Sequence, residues 1–531
     1  MTLTYFTTIR PVDARTGIST VETRGIRTRD LPTSRSGVNS VLHICRTKTK
    51  STAVFVLFLL LGLTADANNI TVSNLSLSNE NRFENYTFVN FDLTWENSWR
   101  LNTGAANWDA AWVFVKYRIG NGEWQHANLH NTEHTAGTGT PATITTGLLD
   151  DNTAFDATTY PGLGVFVYRS SASFGTFTST GIQLRWDYGA DGITGANNID
   201  VKVFAIEMVR VQAGAFNVGG GGGNNAFTST TINTPDATTA PSGSGALGGA
   251  AGGYPTGQTA PANASWPNGY NAFYCMKYEV SQQQYVDFMN TLTQTQADAR
   301  KYTGSDYRYA ITGSVVGSYA TTLPNVACNY LSWADGAAYA DWSGLRPMTE
   351  LEFEKACRGD QPAVSGEYAW GTAGIASSAY TLSNAGAANE GIASNYSTAV
   401  GNAIYNATMV SGNDGPVRVG IFAANGSNSG RVSAGASYWG IMELSGNLWE
   451  RSITIGNATG RAFTGKNGDG LLDISGDANA DNWPGTDAVG AGWRGGSWLT
   501  DNITMRVSDR SIASDSYAGK NINLGIRAVR R

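Results

Sequence analysis

The sequence predicts an all-β sandwich of immunoglobulin-like or fibronectin-like type over residues 68–203, followed over 204–531 by an α+β domain. Three observations carry this. Six short runs before residue 204 alternate apolar and polar residues between Gly, Asn and Asp turns. Beyond it, three Ser or Thr caps each open a short helical pattern. Only 15% of the 531 residues are charged while Gly reaches 64, a balance suited to a loop-rich extracellular chain of two or three domains.

The formal net charge of −6 is unevenly spread. Residues 1–50 hold 9 Lys/Arg against 3 Asp/Glu, which leaves 27 against 39 in the rest. An acidic remainder argues against nucleic-acid binding and favours solubility or divalent cations. Arg46, Lys48 and Lys50 precede the apolar run 53–63, and Ala65-Asp66-Ala67 follows it. This order reads as a secretory signal peptide cleaved near Ala67, with a core too short to span a membrane. The mature chain is therefore expected to be secreted, cell-surface or periplasmic and to carry no transmembrane segment. No Cys sits at the cleavage point, so no lipid anchor is expected. Residues 1–40, basic and upstream of a complete signal, read as the product of a misassigned start codon, making 1–67 leader plus signal.

In the sandwich, strands are expected at 70–75, 86–95, 111–118, 164–168, 182–186 and 199–204. His126, His130 and His134 would align as metal ligands on a helix face. Asn121, Gly122 and Asn131 break that pattern, so exposed loop histidines are the competing reading. Once Cys45 leaves with the signal, Cys275, Cys328 and Cys357 remain. They allow one disulfide plus one thiol, or three buried thiols; no zinc-ligand spacing is present.

The second domain opens with a strand near 206–219. Residues 219–268 are rich in Gly, Ala, Pro, Ser and Thr. No Lys-Ser/Thr pair follows the Gly run, so it reads as a flexible insertion and not a phosphate loop. Ser281 is placed to cap a helix, with Gln284 at the capping-box position and Tyr285, Phe288 and Met289 on one face. Ser332 caps a second helix over 334–342, and Thr349 a third. Glu350, Glu352 and Glu354 lie at the start of that third helix, where the macrodipole favours carboxylates; a structural role fits better than an acid–base pair. At 438–451, Trp439 and Trp449 flank a Ser445-Gly446-Asn447 turn, and Glu450 follows the second Trp. Such a turn leaves carbonyls unpaired. Either a hard cation satisfies them with Glu450, or the turn is a buried aromatic one whose Glu450 pairs with an Arg.

The stretch YWGIMELSGNLWER at 438–451 resembles the signature of the formylglycine-generating enzyme (sulfatase-modifying factor) family. Blocks at 206–219, 273–290, 324–342, 345–359, 368–371, 383–386, 493–498 (WRGGSW) and 523–530 (NLGIRAVR) resemble that family in the same order. The resemblance covers about residues 206–531 and implies a C-type-lectin-like α+β fold. It also implies an activity resting on two copper-binding cysteines after the Gly-Gly-Ser motif. Alignment on Gly495-Gly496-Ser497 puts those positions at Thr500 and Met505, neither of which can become a thiolate. Ser497 and Trp449 match residues near the family's active site. The family's ergothioneine-pathway relatives need an iron-binding His set, and no His follows His134. A non-catalytic member is therefore expected, and copper is not.

Calcium carries over better. The resemblance assigns it the carbonyls of Glu443, Gly446 and Leu448 and the carboxylate of Glu450, with a second site drawing on Asn384 and Asp414. Separately, residues 467–473 hint at a calcium loop but lack the bidentate Glu, so an ordinary polar turn fits better. The leading expectation is a secreted, calcium-stabilised binding or structural module whose ligand is a protein, peptide or glycan. One alternative is an oxidase of the formylglycine-generating type using Cys275, Cys328 and Cys357. Another is a diversified lectin-fold receptor of a diversity-generating retroelement, varying Asp501, Asn502, Ser508, Asp509, Ser514 and Tyr517 at its surface.

Overall fold

The computed structural model describes residues 7–8, 69–148, 162–195, 198–239, 260–412 and 414–531. The signal run and cleavage point, all but Thr7 and Thr8 of the leader, and the middle of the Gly-rich insertion lie outside them. Among the described residues no helix is long and apolar enough to cross a membrane.

Alternation builds the first sheet. Along Tyr86–Arg100, Val89, Phe91, Leu93 and Trp95 are buried while Asn90, Asp92 and Thr94 are not. This strand pairs with Thr71–Asn81 on one side and Ser173–Trp186 on the other, and Thr138–Gly139 follows. Facing it are Ala142–Leu148, Gly162–Arg169, Asp109–Ile119 and Ile199–Val211, in that order. Phe91, Leu93, Trp95 and Phe177 meet Val113, Val115, Val165 and Val203 in one core. Each such burial contributes about 1.5–3 kcal/mol.

The strand Ile199–Val211 joins this layer to the rest. Val201, Val203 and Ala205 face the sandwich core, while Phe204, Ile206 and Met208 face a second core under the helices. The strand is buried on both faces, although Asp200, Lys202, Glu207 and Arg210 interrupt its apolar residues. It pairs with Asp109–Ile119 through Val209 and, overlapping, with Phe273–Met276 from Met208 to Val211. The sheet then continues through Ala528–Arg530, Arg346–Thr349, Trp449–Ile453 and Ala491–Arg494. The boundary expected at 203/204 falls inside one hydrogen-bonded strand.

Each expected cap is present with a full capping box: Ser281 with Gln284 on Gln282–Met289, Ser332 with Asp335 on Trp333–Trp342, and Thr349 with Glu352 on Glu350–Arg358. A fourth helix, Gln294–Arg300, was not expected. Its Thr293-x-x-Gln296 box is the same signal.

The Gly run corrects the expectation of a flexible insertion over its described part. Gly219 donates its N–H to Glu354 Oε2 at 2.7 Å, and Gly221 donates to Ser508 Oγ at 3.3 Å. At Gly219 φ is 69°, and a Cβ there would lie 2.2 Å from the Phe227 carbonyl oxygen. Here glycine permits close backbone packing as well as an unusual φ.

Candidate functional site: the signature turn

Between Trp439 and Trp449 the chain enters left-handed backbone four times, at Gly440 (φ 91°), Glu443 (53°), Gly446 (96°) and Asn447 (66°). A Cβ on Gly446 would sit 2.5 Å from the Ile404 carbonyl oxygen, so only glycine fits. Hydrogen bonds pin the turn from several directions. Gly446 N–H reaches Gly495 O and Asn447 N–H reaches Ile404 O. Asn447 Oδ1 accepts from Val417 N–H, and Ser445 Oγ donates to Met505 O. Glu279 receives Asn447 Nδ2 on one oxygen and Leu448 N–H on the other, at 2.5 and 2.8 Å. Among the described residues no loop or turn backbone hydrogen bond reaches the carbonyls of Glu443, Gly446 or Leu448.

Three carboxylates are buried here. Glu450 accepts Arg527 Nε on Oε1 at 2.7 Å, and Oε2 is buried without a partner. Glu443 accepts Gly420 N–H on Oε1 at 2.8 Å, and its Oε2 is likewise orphaned. Burial raises the pKa of both, Glu443 to about 7, while Arg527 pulls in the opposite direction. Glu279 is pushed up by burial and then by the charges of Glu443 and Glu450. Of the two sequence alternatives for Glu450, the pairing with an Arg is present on one oxygen, and the other oxygen faces no donor among the described residues. Glu279, 168 residues from Asn447 in sequence, was missed; a carboxylate inside the largely apolar stretch 273–280 was its only signal.

The residues fit a hard oxygen-loving cation. Among the described residues no three His, Cys, Asp or Glu side chains form a metal-ligand group. A cation at the turn would therefore lean on the three carbonyls as well as on Glu450. Asn384 and Asp414 are both exposed, and Asn384 O accepts Ala387 N–H. The buried acid of that region is Glu390, held by Arg308 and by the N–H groups of Gly386 and Arg418.

At the positions aligned with the copper cysteines, Thr500 Oγ1 accepts from Ser497 N–H (2.9 Å) and Thr504 Oγ1 (3.0 Å). Met505 is fully buried against Gly446 and Gly496. Cys275, Cys328 and Cys357 are three buried, unbridged thiols, and burial pushes each upward. The histidines lie on a strand and its loop. His126 is buried, against the exposed-loop expectation, with Nε2 2.6 Å from Leu163 O; His134 Nδ1 accepts Arg185 N–H. The 467–473 loop is organised by Asp341, whose carboxylate accepts the N–H groups of Asp469 and Asn479. Ser508 and Asp509 correct the expected variable surface. Both are buried, bonded to Arg358 Nη2 and Asn224 N–H, because the Gly run packs over them.

The family model for the sulfatase-modifying factor enzyme 1-like domain matches residues 200–531. A formylglycine-generating enzyme of Thermomonospora curvata is 44% identical over 55 residues, which is 10% of this chain and 18% of that protein. The chain thus matches under a fifth of the length of that curated relative. With the domain match running from the shared strand to the C-terminus, the chain belongs to the sulfatase-modifying factor enzyme 1-like family.

Proposed function

We propose that this chain is a secreted, non-catalytic member of the family, a binding or structural module whose signature turn holds one Ca²⁺, preceded by an immunoglobulin-like sandwich. The observation that carries the reading is the pair of orphaned oxygens, Glu443 Oε2 and Glu450 Oε2, in a turn whose three carbonyls receive no loop hydrogen bond. Ca²⁺ takes six to eight oxygen ligands, and such a turn supplies several. Cu(I) prefers thiolates, and the aligned positions carry Thr500 and Met505. An oxidase built on Cys275, Cys328 and Cys357 would need thiolates that burial disfavours. The test is the metal content of the purified mature chain after copper loading under reducing conditions. Calcium near one equivalent with no retained copper is expected. Stoichiometric copper would overturn the reading and direct attention to oxygen-dependent oxidation of a cysteine peptide.

A further inference from the structure

A cleft of about 390 Å³ opens where the end of the Tyr86–Arg100 strand meets the loop before the signature turn. That volume lies in the range of small-ligand pockets, ~300–1,000 Å³. Its apolar wall is aromatic: Trp99, Tyr278, Tyr438 and Trp439. Tyr438 and Trp439 meet edge to face, with ring centroids 4.8 Å apart. Trp99 is half-buried, and its cross-strand partner Phe174 is 85% exposed, which extends the ring surface outward.

The charge in the cleft is one-sided. Among the described residues no Asp or Glu lines it, although the chain carries a net −6. Of its two cations, Lys277 is closed off, paired with Glu207 at 2.9 Å and Asp109 at 3.3 Å. Arg431 is not. Its guanidinium lies 5.5 Å from the centre of the Tyr438 ring and, among the described residues, donates only to two main-chain carbonyls, those of Ala436 and Ala369. The nearby carboxylate of Glu367 is taken by Arg358 at 2.5 Å. Burial lowers the Arg431 pKa, as expected of a cation with little counter-charge. Asn97 and Asn428 add amides.

We propose that this cleft binds an acidic saccharide, with a sugar ring against the Trp99 and Tyr438 rings and its carboxylate or sulfate on Arg431. Aromatic faces receive the C–H face of a sugar ring, amides serve its hydroxyls, and Arg431, whose Nε and Nη2 hold the two carbonyls, offers Nη1 for a charge-assisted hydrogen bond to a carboxylate or sulfate oxygen. The volume holds a ring or two and excludes a long polymer from full burial. The proposal rests on the binding-module reading for its biological role, but the site is separate from the calcium turn.

The test titrates the full mature chain with digalacturonate and a sulfated disaccharide, each beside its methyl-esterified or unsulfated counterpart. Calorimetry and tryptophan fluorescence read the affinity. Binding of at least one acidic saccharide is expected, at least tenfold tighter than its neutral counterpart and weakened by salt. Arg431→Gln should erase that preference, Arg431→Lys should keep part of it, and Trp99→Leu should weaken acidic and neutral saccharides alike. Equal binding of acidic and neutral forms, no binding of either acid, an unchanged preference in folded Arg431→Gln, or tighter binding of benzoate than of the saccharides would each overturn the proposal. Thermal melting of each variant establishes that it is folded. Metal content is measured on the same samples, so loss of the saccharide site is distinguishable from loss of the calcium reading.

Discussion

Two regions of this domain each bury three carboxylates, and they handle the charge in opposite ways. On the helix Glu350–Arg358, Glu350 meets Arg494 and Arg510, Glu352 is gripped by both Nη groups of Arg346, and Glu354 meets Arg494 and Arg358. Thr454 Oγ1 and Gly219 N–H add further donors. At the signature turn, Glu279, Glu443 and Glu450 share one ion-paired cation, Arg527, and two of their oxygens are orphaned. Burying an ion is tolerable only when partners repay its lost hydration. The helix brings its partners within the chain, whereas the turn is short of positive charge and of donors. That difference separates a structural cluster from the cation site proposed at the turn more sharply than the residue types do, since both are built from glutamates.

The largest effect should come from breaking the compensated side. Arg494→Met leaves Glu350 and Glu354 each short of a guanidinium in a fully buried network. It should cost about 3–5 kcal/mol, read as a fall in the urea midpoint. A cost near zero would mean that the network is over-provisioned. On the other side the loss should appear only when a metal is present. Calcium at a hundredfold excess over its dissociation constant should add about 2.7 kcal/mol to the stability of the EDTA-treated chain. Glu450→Gln should abolish that gain, with little change in EDTA. An unchanged melting temperature between EDTA and calcium in the wild type would remove the basis of the comparison.

Legibility in the sequence follows the range of the interactions. The helix caps at Ser281, Ser332 and Thr349 were readable because their partners lie three residues away. The turn was readable because Gly446, Asn447 and Glu450 lie within five residues of one another. What could not be read rests on distant partners. Packing of Gly219 depends on Phe227 and on Glu354, 135 residues away, and a run of five glycines carries no trace of either. Ser508 and Asp509 look like surface residues until the same run covers them. Residues 203 and 204 lie in one strand that serves two cores, a sharing that depends on partners distant in sequence.

Asp341 lies between the two extremes and gives a pH-dependent test. It accepts two backbone N–H groups and has Lys116 nearby, yet burial raises it to about 7. The unfolded carboxylate ionises near its ordinary value of 3.8. Between those values the folded state holds a proton that the unfolded state has lost, so this contribution is complete below about pH 4 and fades as pH rises through about 7. Asp191, raised to about 6, acts in the same sense, so the informative quantity is the difference from Asp341→Asn. That difference in urea midpoint should shift against the wild type from pH 4 to 7.5. A constant difference would mean that Asp341 titrates normally.

The smallest effect examines whether the two regions are independent. Thr349 caps the glutamate helix, its Oγ1 receiving Glu352 N–H and donating to Pro267 O. Loss of such a cap in Thr349→Ala should cost about 1 kcal/mol. The strand that ends in Thr349 also pairs in parallel with Trp449–Ile453, Met348 opposite Ser452, one strand from the turn's Glu450. If the regions act separately, Thr349→Ala and Glu450→Gln add within about 0.5 kcal/mol, and the calcium-dependent gain is unchanged in Thr349→Ala. A reduced gain would mean that the shared strand transmits the state of the helix to the turn. The contrast between them would then describe one coupled charge network and not two.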